Sequence, residues 1–102
     1  MNEQFEKYLP IGSVVLMKDA KKRVMITGYV VKSPQHGERI FDYIGCLYPE
    51  GSLSQDKNLL FDHKDIAQIF ALGYSDDEQK AFMARLKDAV AKKEQQTNNQ
   101  QG

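Results

Sequence analysis

A single cysteine, Cys46, is all the thiol this chain carries, which excludes an intramolecular disulfide and fits a reducing compartment. Net charge is missing too. Fourteen Lys and Arg balance fourteen Asp and Glu, so no global field draws the protein onto nucleic acid or an anionic membrane. No run of eighteen apolar residues occurs, which excludes a transmembrane helix. The first residues, Met1-Asn2-Glu3-Gln4-Phe5-Glu6-Lys7, lack the basic start and apolar centre of a secretory signal. The expectation is a soluble, cytoplasmic protein without membrane insertion. No glycine-rich stretch ends in Gly-Lys-Ser/Thr, so a phosphate loop is absent.

What is present reads as one small domain over residues 1–93 of the 102, followed by a polar tail, 94–102, with nothing to bury and therefore expected to be disordered. Phe41 to Gly51 is the organising stretch. Phe41, Tyr43 and Leu47 share one face of an extended strand, and Ile44, Cys46 and Tyr48 the other. A strand apolar on both faces belongs inside a sheet. Gly45 at its middle predicts a bulge, a bend or a close backbone approach, and Pro49 with Gly51 ends it. Before it, the spacing predicts a polar lead over residues 1–8 anchored by Phe5 and Tyr8, a turn at Leu9 to Gly12, and a strand over residues 13–18. A second strand over 23–32 follows, with Val24, Ile26 and Val30 on one face, Met25, Thr27, Tyr29 and Val31 on the other, and Gly28 as an interruption. After it, Leu59-Leu60-Phe61 reads as a short strand, 62–65 as one helical turn with Asp62 capping its free amides, and 66–72 as a fifth strand. A helical turn between the last two of five strands resembles Src-homology-3-like barrels, in architecture only.

At Ser75-Asp76-Asp77-Glu78 the period changes from strand to helix. Ser75 as cap and Glu78 reaching back form a capping box, and Phe82, Met83, Leu86, Ala89 and Val90 make one apolar stripe over roughly 76–93. The fold class is α+β: a strongly bent antiparallel sheet, or small SH3-like open barrel, of about five strands with a C-terminal amphipathic helix. The stripe either covers the sheet or docks on a partner; core packing is the reading favoured here.

Enzyme chemistry finds little support. A cysteine inside an apolar strand is a buried small hydrophobe before it is a nucleophile, so Cys46 with His36 or His63 predicts no catalytic pair and no catalytic residue is assigned. Asp62, His63 and Asp65 have no second ligand cluster at a zinc or calcium spacing, so neither metal nor cofactor is expected. Tyr29, Tyr43 and Tyr48 beside Lys18, Lys21, Lys22, Arg23 and Lys32 would suit single-stranded nucleic acid; the balanced charge argues against it and favours core aromatics with a solvated hairpin. Loop tips at 34–39 and 50–57 and exposed tyrosines are the natural protein contacts: Pro34, His36, Arg39, Tyr48, Glu50 and Tyr74.

Several segments together resemble a family known as domain of unknown function 4176. They are Leu9-Pro10-Ile11-Gly12-Ser13-Val14-Val15-Leu16, Met25-Ile26-Thr27-Gly28, Phe41 to Gly51 with its Asp-Tyr-x-Gly-x-x-Tyr-Pro-Glu-Gly pattern, Phe61-Asp62-His63-Lys64-Asp65-Ile66, and Gly73-Tyr74. That family occurs in Gram-positive bacteria among type VII secretion genes and Leu-x-Gly toxins, and has no assigned catalytic residue. The resemblance implies a non-enzymatic cytoplasmic accessory protein, a chaperone or adaptor whose partner is a toxin or a secretion component. A nucleic-acid-binding small barrel, or an immunity protein for a cognate toxin, are the alternatives.

Overall fold

The last two strands follow one another in sequence yet lie at opposite edges of the sheet, and this fixes its shape. The structure, a computed structural model, describes residues 7–101 except 34, 36, 38, 55 and 56, with side chains described to residue 93. Five strands, β1 (Val14–Met17), β2 (Val24–Lys32), β3 (Ile40–Leu47), β4 (Leu59–Phe61) and β5 (Ile66–Ala71), precede one helix, α1 (Asp77–Gln101). All pairings are antiparallel, in the order β4-β3-β2-β1-β5. In a flat sheet the two edges would lie roughly 19 Å apart, at about 4.8 Å per strand. A single 3-10 turn, His63–Asp65, rises only about 2 Å per residue and cannot cross that gap. The sheet must curl. It does so as a bent, open sheet that stops short of a closed barrel.

Glycine permits the curl where strands meet. A Cβ at Gly45 would lie 2.6 Å from the Met25 carbonyl oxygen and 2.7 Å from Val24 Cγ1. Gly45 is thus a close backbone approach, and the bulge lies on the neighbouring strand. There Ile26 pairs with Gly45 and Gly28 with Ile44, so Thr27 is the extra residue and the alternation slips by one. The slip overturns the two-face reading of β2. Tyr29, expected opposite Val24 and Ile26, packs against the same core as they do, and so does Val30, which sits at φ 53.

Val15, Val24, Ile26, Tyr43 and Ile66 are the centre of that core, each at most 1 % exposed. α1 closes one side through a seam narrower than the stripe suggested. Met83 is buried and Leu86 and Val90 pack beside it, whereas Ala89 is exposed and Phe82, 45 % exposed, keeps its ring 6.3 Å from Tyr29. The cap lies one residue later than expected. Asp76, not Ser75, accepts the Gln79 amide at 2.9 Å, and Ser75 turns its hydroxyl to the Gln79 side chain at 2.6 Å. Residues 1–6, with Phe5, lie outside the described residues.

Candidate functional site

Two places gather chemistry-bearing side chains, one inside and one on the surface. Inside, Tyr43 sits where β3 passes the 3-10 turn, fully buried. Its hydroxyl accepts the Leu9 amide at 3.0 Å and lies 2.8 Å from His63 Nδ1. Tyr29 donates to the Leu9 carbonyl at 2.5 Å, so both polar groups of one buried residue are held by tyrosines. A buried peptide group left without such partners would cost about 1–3 kcal/mol.

Burial pushes the Tyr29 phenol up to about 12 and raises that of Tyr43 further. Both groups therefore favour the folded state while protonated. Below pH 10 that contribution is complete; above it the unfolded phenols ionise first, the folded state binds more protons, and stability falls as pH rises through 12. Urea midpoints at pH 8, 9 and 11 are expected to be level over the first interval and to drop over the second. The 295 nm absorbance of these two tyrosinates should then appear only with unfolding.

Beside them two aspartates exchange backbone bonds. Asp42 Oδ2 accepts the His63 amide at 2.9 Å, and Asp62 Oδ1 accepts the Asp42 amide at 3.0 Å. Asp62 thus ties β3 to the turn while it also heads that turn in a capping box, as expected, in which Asp65 accepts the Asp62 amide at 3.0 Å. Lys7 meets Asp42 at 3.2 Å and Arg39 meets Asp62 at 2.6 Å. Arg39 also lies 4.2 Å over the Phe41 ring. An Asp42→Ala chain is expected to lose about 1–3 kcal/mol, the cost of the orphaned His63 amide, measurable as a lower urea midpoint.

The described thiol and imidazole of this interior do not meet. Tyr43 and Cys46 fall on opposite faces of β3 by strand alternation, so the sheet separates the buried Cys46 thiol from the His63 imidazole. Among the described residues no group of three His, Cys, Asp or Glu can hold a metal ion.

The surface site is built by the β5 edge. Eight large apolar side chains are exposed among the described residues, and five of them, Ile11, Tyr48, Phe70, Leu72 and Tyr74, belong here. Register shifts leave Phe70 as the extra residue between Ile69, paired with Val15, and Ala71, paired with Val14. Val15 pairs with Val24 in turn, and the Tyr48 amide donates to the Arg23 carbonyl at 2.9 Å. Phe70, Arg23 and Tyr48 therefore stand in one row across the sheet. The Arg23 guanidinium carbon lies 5.1 Å from the Tyr48 ring centroid and 5.7 Å from that of Phe70. Leu72 and Tyr74 continue the band along the chain, and Ile11 joins it where its carbonyl abuts Gly73. Glu50 borders the row, paired with Lys22 at 2.7 Å. That hydrogen bond holds its carboxyl below the usual range.

Of the contacts read from sequence, Tyr48 and Glu50 come together here, and Tyr74, 80 % exposed, lies at the far end. Arg39 stands at the opposite end of β3 in the aspartate clasp. Pro34 and His36 lie outside the described residues. Sequence reading missed Ile11, Phe70 and Leu72. The signal was partial: by alternation Ile69 falls opposite Ile66, Phe70 and Leu72, so both faces of the strand carry apolar residues, and at an edge one face must meet water.

Residues 8–82 match the model of a family described as Domain of unknown function (DUF4176). No curated protein and no solved structure matches the chain.

Proposed function

The chain belongs to that family, and from this premise we propose that it is a non-enzymatic protein-interaction module whose contact surface is the β5-edge band. The observation that carries the reading is the concentration of exposed large apolar side chains beside Arg23, in a band that runs from the β5 edge across the outer face of the sheet. Exposed apolar surface gathered in one place marks association sites, and aromatic residues with arginine are the residue types that dominate interface energetics. No described helix is long and apolar enough to cross a membrane, so the band is not accounted for by a helical span.

The accessory role in type VII secretion, as chaperone or adaptor for a toxin, comes from the family resemblance and fits a module that works through its outer surface. Co-purification from native cytoplasm is expected to recover a protein encoded beside this chain's gene, and deletion is expected to impair secretion of the associated toxin. Recovery of no such protein, with secretion unchanged, removes the reading. The immunity reading predicts instead that expression protects cells from the toxin. For the nucleic-acid alternative, only Tyr48 of the three tyrosines it needs is substantially exposed, since Tyr43 is sealed in the core and Tyr29 packs against it.

A further inference from the structure

We infer that the Tyr48–Arg23–Phe70 row receives an acidic segment of a protein partner, an Asp or Glu flanked by apolar residues, with its carboxylate on the Arg23 guanidinium. The inference rests on the interaction-module reading and names the chemistry of what is bound.

This chain already contains the completed form of such a contact. Arg39 lies over the Phe41 ring and meets the Asp62 carboxylate at 2.6 Å. Arg23 has the aromatic half twice over, from Tyr48 and Phe70. Among the described residues, however, no carboxylate pairs with it, whereas Lys7, Lys22, Arg39 and Lys92 each have one. Two rings limit where the guanidinium can point, so little of its rotamer entropy remains to be lost when an anion arrives. Its planar fork fits a carboxylate through two parallel hydrogen bonds. Phe70 on β5 and Leu72 just past its end, each about half exposed, supply apolar surface for the flanking side chains.

A phosphate backbone is the competing anion, and the surroundings disfavour it. Glu50 places a carboxylate beside the row and occupies Lys22. Lys18 and Lys21 of the adjoining hairpin have no ion pair among the described residues, but the whole chain carries no net charge, so no overall field draws a polyanion to them.

The test is selection of a random twelve-residue peptide display library on the immobilised full chain, with rescreening on Arg23→Gln and Arg23→Lys chains. Arg23 is exposed, so urea midpoints of all three should agree, which confirms that folding is intact. Enriched peptides are expected to carry an Asp or Glu next to apolar residues. They should bind the Gln variant at least tenfold more weakly, lose part of that affinity on the Lys variant, and weaken as salt rises. Enrichment of purely apolar peptides that bind the Gln variant equally well overturns the inference and leaves the module reading standing. Absence of any enriched peptide also overturns it, and the native co-purification then decides the module reading separately. Binding of a labelled single-stranded RNA that depends on Arg23, with no acidic peptide enriched, replaces the partner class altogether.

Discussion

Gly73→Ala chains are expected to be unfolded, or destabilised by more than about 3 kcal/mol, the upper part of what overpacking ordinarily costs. A Cβ at Gly73 would lie 1.9 Å from the Ile11 carbonyl oxygen and 2.7 Å from its carbonyl carbon. Both are main-chain atoms, so no side-chain rotation relieves the clash. The same residue donates its amide to the hydroxyl of fully buried Ser13 at 3.0 Å. Any backbone shift that made room would also break that bond. Gly51→Ala is the matched control: at φ 84 with no atom within 4 Å, it should cost only the left-handed backbone penalty, about 1–2 kcal/mol. Urea denaturation of both chains separates the two effects, and equal midpoints would show that Ile11 and Gly73 do not meet this closely. The joint bears on the proposed contact surface as well as on stability, because it brings the Ile11 backbone against Gly73, between Leu72 and Tyr74 in the chain.

Tyr43→Ala should be the most damaging change in the core, by about 3–5 kcal/mol, the usual range for emptying a buried aromatic site. The ring lies 5.9 Å from Tyr8, 6.0 Å from Tyr29 and 5.3 Å from Phe61. Tyr43→Phe keeps those contacts and removes only the hydroxyl. It leaves the Leu9 amide without its acceptor and takes the phenol oxygen from His63 Nδ1, at an expected cost of about 1–3 kcal/mol. The gap between the two variants therefore measures packing, and the deficit of the Phe variant measures the polar clasp. Hydrogen exchange at the Leu9 amide should accelerate in the Phe variant ahead of the sheet amides. If the Phe variant matched the parent in both stability and exchange, the hydroxyl would have no part in holding residues 8–10.

Local chemistry made most of the architecture legible. The apolar residues of β3 alternate without interruption, so its faces could be assigned from Phe41, Tyr43, Ile44 and Cys46 alone. β2 defeated the same rule because a bulge shifts alternation by one residue, and Gly28 signals that something happens without saying which residue is added. At the helix start, Ser75 and Asp76 are equally suited to cap, and only the geometry of the preceding chain selects Asp76. The clasp was invisible for another reason. Asp62 is twenty residues from Asp42 and twenty-three from Arg39, and side-chain bonds at that range leave no periodic trace. The surface row had a partial signal in Tyr48 and Arg23, both named as candidates in other company, but its assembly depends on β5 crossing back to pair with β1.

On the proposed reading, this protein works through its β5-edge surface and its interior holds that surface in place. The most direct measurement is the affinity of the co-purified native partner for the parent chain and for a Phe70→Ser, Leu72→Ser double variant with a comparable urea midpoint. Both side chains are about half exposed, so folding should tolerate the change. The account predicts at least a tenfold loss of affinity with the fold intact, and equal affinity for both chains would contradict it.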